Sequence, residues 1–72
     1  MDTATGIAVT LNGAPHTVPA GLSVAALIEE LGLTGRRLAV ELNREILPRS
    51  THRARTLKAG DRLEIIHAIG GG

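Results

Sequence analysis

One segment near the middle of the chain has the complete pattern of an amphipathic helix, and it limits the fold more than any other feature. Its apolar residues recur at i, i+3, i+4 and i+7, which places them on one face. They are Val24, Leu27, Ile28 and Leu31. Ser23 is placed to cap the first turn, and Gly32 supplies a left-handed residue at the end. We therefore predict one helix over residues 24–31, with a single apolar face that another element must cover.

The segments on both sides of this helix alternate with the period of β-strands. Strands are predicted before the helix at residues 7–11 and 16–18, and after it at 38–42, 45–47 and 62–69. Asn12-Gly13 is a pair typical of a two-residue hairpin turn, and Asn43-Arg44 is predicted to be a second turn. Residues 50–56 are polar and irregular, with room for one helical turn. The order β-β-α-β-β-β predicts an α+β fold, a mixed sheet of four or five strands with the helix on one face.

The last predicted strand has two different faces. Leu63, Ile65, His67 and Ile69 alternate onto the face that we expect to be covered, with His67 partly buried. Ile66 and Ala68 alternate onto the opposite, exposed face.

The composition excludes several classes of function. With no cysteine and three histidines far apart in sequence, neither a disulfide nor a metal site is expected. No catalytic constellation is found, so the chain is not expected to be an enzyme by itself. No stretch approaches the length of a membrane span, and residues 1–6 do not resemble a signal peptide. We expect a cytoplasmic protein that binds neither a membrane nor a cofactor.

Arginine is concentrated in the middle of the chain. The cluster consists of Arg36, Arg37, Arg49, Arg53 and Arg55, with His52 among them. The formal net charge is only +1 and no aromatic residue is present, so nucleic-acid binding has little support. The favoured interpretation is a solvated surface, and the alternative is a patch that meets an acidic partner or a phosphate.

The sequence ends in three glycines directly after the last predicted strand. We expect a domain over residues 1–69 and a flexible tail over residues 70–72, because glycine has no side chain to pack and high backbone entropy. Such a tail is thin enough to enter a narrow tunnel. The carboxylate of Gly72 becomes reactive if a partner adenylates it with ATP. A linker or an inert terminus is the alternative interpretation.

Several segments together resemble a known family. They are residues 9–13, 27–32, 40–49, 57–65 and 68–72. The most distinctive combination is the central Asn-x-Glu-x-x-Pro-Arg, which begins at Asn43, with the glycine terminus. In these features the chain resembles the ThiS-type sulfur carriers of thiamine biosynthesis, which are ubiquitin-like β-grasp proteins.

The resemblance implies a reaction cycle in which the chain is a cosubstrate of other enzymes. An adenylating enzyme of the E1-like, ThiF type would use ATP and Mg²⁺ to activate Gly72, and a sulfur donor would convert it to a thiocarboxylate. Thiazole synthase would then accept the sulfur. Gly70, Gly71 and Gly72 would enter the partner's active site. Ile66 and Ala68 would face the partners beside the tail.

Three other interpretations fit parts of the pattern. The small subunit of molybdopterin synthase shares the fold and the thiocarboxylate, but the short chain and the segment from Asn43 to Arg49 speak against it. A ubiquitin-like protein modifier would form amide bonds through Gly72. A β-grasp interaction domain with an inert tail would undergo no chemistry at all.

Overall fold

A computed structural model describes residues 6–67 of the chain. The strands are β1 (Gly6–Leu11), β2 (Ala14–Pro19), β3 (Leu38–Leu42), β4 (Glu45–Ile46) and β5 (Arg62–His67). The helix α1 spans Val24–Glu30, and a short 3₁₀ helix occupies Arg49–Thr51.

The strands form one five-stranded sheet in the order β2-β1-β5-β3-β4. β1 and β5 are parallel, whereas the other neighbouring pairs are antiparallel. The connection from the first hairpin to the rest of the sheet contains α1, which packs against one face. This is the mixed sheet with one helix that the sequence predicts, and β5 lies at its centre.

Local signals in the sequence explain both ends of α1. The Oγ of Ser23 accepts a hydrogen bond from the Ala26 amide at 3.0 Å, as predicted for the cap. At the other end Gly32 has φ of 74°, and the Leu33 amide donates to the Ile28 carbonyl at 3.0 Å. The helix therefore ends in a Schellman motif, for which a residue with positive φ is required.

The core lies between α1 and one face of the sheet, and it is entirely aliphatic. Leu27 and Leu63 are the largest side chains that are completely buried. The buried cluster consists of Val9, Val18, Val24, Leu27, Ile28, Val40, Leu42, Leu57, Leu63 and Ile65. The predicted helix register is confirmed, because Val24, Leu27 and Ile28 are all in this cluster.

The segment that the sequence predicts to be irregular is fixed to the start of the helix. The Val24 amide donates to the Arg55 carbonyl at 2.9 Å, and the Ala25 amide donates to the His52 carbonyl at 3.0 Å. These bonds satisfy two of the amides that a helix N-terminus leaves unpaired. The predicted helical turn is present as the 3₁₀ helix.

Several bounds differ from the sequence predictions. α1 ends at Glu30 with Leu31 as its C-cap, because the chain turns into the Schellman motif there, and the first hairpin is longer, with β1 at Gly6–Leu11 and β2 at Ala14–Pro19. β4 ends at Ile46 rather than at residue 47, although the Leu47 amide still donates to the Val40 carbonyl at 2.8 Å. His67 is exposed rather than partly buried. The reason is that β1 pairs only with the beginning of β5, at Arg62 and Leu63, so His67 lies past the end of that neighbour. Residues 68 and 69 of the predicted last strand, and the predicted tail, lie outside the described residues.

Candidate functional site

β5 leads toward the glycine terminus, and asparagine side chains from both tight turns hold it in place. Asn12 and Asn43 begin these turns with φ of 50° and 53°. The Oδ1 of Asn12 accepts from the Ile65 amide at 2.8 Å, and that of Asn43 accepts from the Arg62 amide at 2.9 Å. Two hairpins on opposite sides of β5 thus fix its position through side-chain bonds as well as through the sheet.

A buried carboxylate fixes the start of the same strand. Asp61 is only 7% exposed, and both of its oxygens accept hydrogen bonds. The donors are the Lys58 amide at 2.8 Å and the Nδ2 of Asn43 at 3.1 Å. Because its bonds are made to neighbouring turns, we assign Asp61 a structural role rather than one in acid–base chemistry.

The face of the sheet opposite α1 is the candidate site, and we call it the open face. We define it by five residues of β3, β4 and β5: Ala39, Glu41, Ile46, Glu64 and Ile66. Ile46 is 68% exposed and Ile66 is 51% exposed, and these are the exposed large apolar side chains within residues 6–67. A single exposed isoleucine is ordinary, but here both lie on one face of one sheet.

The strand register places these residues in two adjacent rows. Ile46 is opposite Glu41, and Glu41 is opposite Glu64, so one row crosses three strands. In the next row Ala39 is opposite Ile66. Directly opposite residues in a sheet have Cβ atoms about 4.5–5.5 Å apart. The open face therefore presents two isoleucines beside a pair of carboxylates.

The two carboxylates supply the negative charge of the open face. Glu41 and Glu64 are directly opposite on antiparallel strands, where like charges are destabilising. A cationic group of another molecule that approached them would relieve this repulsion. The combination of apolar and acidic side chains is suited to a partner surface with basic and apolar residues.

The predicted site residues are only partly described. Ile66 lies on the exposed face, opposite the buried Leu63 and Ile65, as the alternation predicts. Ala68, Gly70, Gly71 and Gly72 lie outside the described residues. The sequence interpretation missed Ile46, because a two-residue strand leaves no alternation from which its face can be predicted.

Two further kinds of feature were sought among the described residues: a cluster of metal-binding side chains and a helix that could span a membrane. Within residues 6–67 no group of three or more His, Cys, Asp or Glu side chains is placed to hold a metal ion. His52 is engaged with the backbone, since its Nε2 lies 3.1 Å from the Leu47 carbonyl oxygen. The helix that the structure describes is too short to cross a membrane.

Comparisons with known proteins agree with this architecture. The family model described as the ThiS family matches residues 9–72, which include the terminal glycines. A crystal structure of the thiamine biosynthesis protein ThiS from Geobacter metallireducens superimposes with a TM-score of 0.79 and 38% sequence identity. The match covers 92% of this chain and all of that chain.

Two curated relatives are longer proteins. Each is named thiazole synthase, and they come from Magnetococcus marinus and Paramagnetospirillum magneticum. They are 39% and 42% identical to this chain over 64 residues, which is 89% of this chain. The chain spans 20% of the length of each. In these relatives a segment similar to this chain is therefore part of a polypeptide that is named for thiazole synthesis.

Proposed function

The chain belongs to the ThiS family, the ubiquitin-like β-grasp sulfur carriers of thiamine biosynthesis, and we propose that it carries sulfur on the carboxyl group of Gly72. The observation that carries this proposal is the extent of the family match, which continues through residue 72. The three glycines thus belong to the region that resembles the family. The central position of β5 also supports the proposal. This strand precedes the glycines in the chain, and it is hydrogen-bonded to a neighbouring strand on both sides.

The proposed chemistry has two steps, and a partner enzyme catalyses both. In the first, an oxygen of the Gly72 carboxylate attacks the α-phosphorus of ATP, so that an acyl adenylate forms and pyrophosphate leaves. In the second, a donor supplies sulfur at the oxidation level of sulfide, which attacks the acyl carbon and displaces AMP. The product is a thiocarboxylate. Mg²⁺ and ATP are bound by the activating enzyme, and this chain binds no cofactor of its own.

In the delivery step the sulfur atom acts as a nucleophile. The thiocarboxylate sulfur adds to the carbon of a C=O or C=N group of the thiazole precursor, whose π electrons move to the oxygen or nitrogen and take up a proton. Water then cleaves the bond between sulfur and the acyl carbon. The sulfur stays with the precursor, and Gly72 returns to a carboxylate with an oxygen from water. The chain is therefore a cosubstrate that is regenerated in each cycle, not the enzyme.

Two enzymes and a sulfur donor are the proposed partners. An E1-like adenylating enzyme of the ThiF type carries out the activation. Thiazole synthase is the acceptor, which is supported by the two relatives that carry a similar segment within one chain. Joining two partners in one polypeptide raises their effective concentration, so such a fusion is expected of proteins that must meet. Because the cycle consumes ATP, we propose that it takes place in the cytoplasm.

The open face is the proposed docking surface for these partners. Ile46 and Ile66 supply apolar contact area, and Glu41 and Glu64 supply charges for a basic partner surface. Ala68 is assigned to the same face from the alternation of the sequence. Ile66 is the penultimate described residue of β5, so a partner seated here is close to the segment that leads to Gly70, Gly71 and Gly72.

A truncated variant tests the proposal. Without Gly71 and Gly72 the chain should retain its unfolding midpoint, because the aliphatic core lies within residues 9–65. In a reconstituted assay with thiazole synthase, the activating enzyme, ATP and a sulfur donor, this variant should form no thiazole product. The Gly71→Val variant keeps the chain length. Its thiazole formation should be strongly impaired, because the valine side chain would not fit a partner tunnel that admits only backbone. Thiazole formation by the truncated protein at the parent rate would contradict the proposal.

A further inference from the structure

A concave surface lies on the side of the sheet that carries α1, away from the open face. It is formed between α1 and the two segments that carry most of the central arginines. This pocket has a volume of about 250 Å³. Its charged lining consists of Arg36, Arg49, Arg53 and Glu29. Three arginines and one glutamate give the lining a formal net charge of +2, with histidine counted as neutral.

The base of the pocket is apolar and rigid. Ile28 of α1, Leu33 after the helix and Leu38 of β3 line it, and all three belong to the core or pack against it. Arg36, Arg49 and Arg53 are themselves exposed, so their attraction for an anion comes from three positive charges that converge on one concave surface. The apolar wall beside them reduces the screening by water on one side of an anion in the pocket.

The arginines are carried by backbone that is already ordered. The segment with Arg49 and Arg53 is bonded to α1 through the carbonyls of His52 and Arg55. The Arg36 amide donates to the Leu33 carbonyl at 3.2 Å, which closes the turn that carries it. Because the backbone is fixed before a ligand arrives, less conformational entropy is lost on binding.

We propose that this pocket binds a single phosphate-type oxyanion. Arginine is suited to the task, since its planar group donates two parallel hydrogen bonds to a phosphate or a carboxylate. The charge distinguishes between the two ligands, because a phosphate dianion neutralises the net charge of +2 and a carboxylate leaves half of it. The volume also limits the size of the ligand, since 250 Å³ is below the roughly 300–1,000 Å³ of pockets for drug-sized molecules.

The pocket lies at the end of the sheet where the described part of β5 ends. Leu38, which lines the pocket, is paired with His67, the last described residue of β5. The bound oxyanion lies at the end of the sheet from which the chain continues toward residue 68. The sulfur chemistry proposed for Gly72 does not require this pocket, so a negative result for one proposal leaves the other unaffected.

The chain offers a matched control in a second pair of arginines. Arg44 and Arg62 line a separate depression beside Thr10, Asn43 and Gly60. It lies at the opposite end of β3 and β5, because Leu42 is paired with Leu63 there. Substitution of either arginine pair by glutamine lowers the net charge of the protein by the same two units, so a loss caused by net charge alone would be the same in both variants.

The test is a titration followed by ¹H–¹⁵N NMR, with inorganic phosphate as the probe and sodium chloride at the same ionic strength as the blank. Saturable shifts are expected for amides of residues 33–36 and 49–53. The R49Q/R53Q variant should weaken phosphate binding by about tenfold or more, since two charged hydrogen-bond donors are lost. The R44Q/R62Q variant should bind within about twofold of the parent.

Two further measurements identify the class of ligand and separate a loss of binding from a loss of folding. Acetate should bind more weakly than phosphate. If R49Q/R53Q loses its dispersed spectrum, the single variant R36Q replaces it and should also weaken phosphate binding. Shifts that do not saturate, equal losses in the two double variants, or acetate binding as tight as phosphate binding would each overturn the proposal.

Discussion

β5 supplies side chains to both faces of the sheet, and the two faces have opposite compositions. Toward α1 it presents Leu63 and Ile65, which are buried among other aliphatic residues. Toward the open side it presents Glu64 and Ile66, one beside a second carboxylate and the other half-exposed. The inner face thus has the composition of a core, whereas the open face keeps exposed apolar area beside two carboxylates of like charge.

If the open face is the docking surface that we propose, stability and partner recognition are separated by one layer of backbone. The inner face has to supply the whole apolar contribution to folding in a chain without aromatic residues or disulfides. The open face is free to vary for binding, because its side chains are not packed. Substitutions on the two faces should therefore have different effects on unfolding and on partner binding.

The largest effect on stability is expected on the inner face, from Leu27→Ala. Leu27 is completely buried, so the substitution loses transfer energy and leaves a cavity. The free energy of unfolding should fall by about 2–5 kcal/mol, a large part of the roughly 5–15 kcal/mol typical of natural domains. Urea unfolding followed by circular dichroism measures this change. A parent-like midpoint would show that the core does not depend on α1 as described.

A smaller loss is expected from Asp61→Ala, which tests whether polar contacts at the edge of the core matter as well. The substitution leaves the Lys58 amide and the Nδ2 of Asn43 without their acceptor. Unfolding free energy should fall by about 1–3 kcal/mol. Glu30→Ala is the control, because it removes an exposed carboxylate and should change stability by less than about 0.5 kcal/mol. Equal effects of the two substitutions would contradict the structural role of Asp61.

On the open face, Glu64→Gln should stabilise the domain. It removes the repulsion from Glu41 on the neighbouring strand while keeping the size of the side chain. The gain should be about 0.2–1 kcal/mol at low salt and should shrink at high salt, where the charges are screened. Denaturant unfolding at two salt concentrations measures both quantities. A loss of stability at low salt would mean that the pair is not repulsive.

The smallest effect on folding is expected from Ile66→Thr, which should instead weaken partner binding. Threonine also favours strands, and Ile66 is half-exposed, so stability should change by less than about 0.5 kcal/mol. Calorimetric binding to thiazole synthase should weaken about tenfold, which corresponds to 1.4 kcal/mol. Thr17→Ala on β2 is the control at the far edge of the sheet. Equal affinities for both variants would remove Ile66 from the docking surface.

Much of the inner face could be predicted from the sequence, because it depends on local patterns. The stripe that contains Leu27 and Ile28, the cap at Ser23 and the stop at Gly32 each arise within a few residues, and all are confirmed. Asn12-Gly13 is likewise a local signal, and both of its residues have positive φ. Local steric and hydrogen-bonding rules suffice for these features.

The open face and the arginine pocket depend on contacts between distant segments, which periodicity does not reveal. Ile46 joins Ile66 on one face only because β4 pairs with β3 in a particular register. The sequence predicts a turn at Asn43-Arg44, but it gives no sign that a residue other than glycine takes the strained φ of 71° there. The sequence shows the arginines as a cluster, but the pocket also needs α1 and the start of β3.

Intact-mass spectrometry would detect sulfur on the carboxyl group of Gly72. The protein is incubated with the activating enzyme, ATP and Mg²⁺, and then with a sulfide-level donor. We predict first the added mass of an adenylyl group and then the exchange of one oxygen for sulfur, both located on Gly72 by fragmentation. The variant without Gly71 and Gly72 should show neither. An unchanged carboxylate in the presence of an active enzyme, or an amide bond to another protein in its place, would contradict the account.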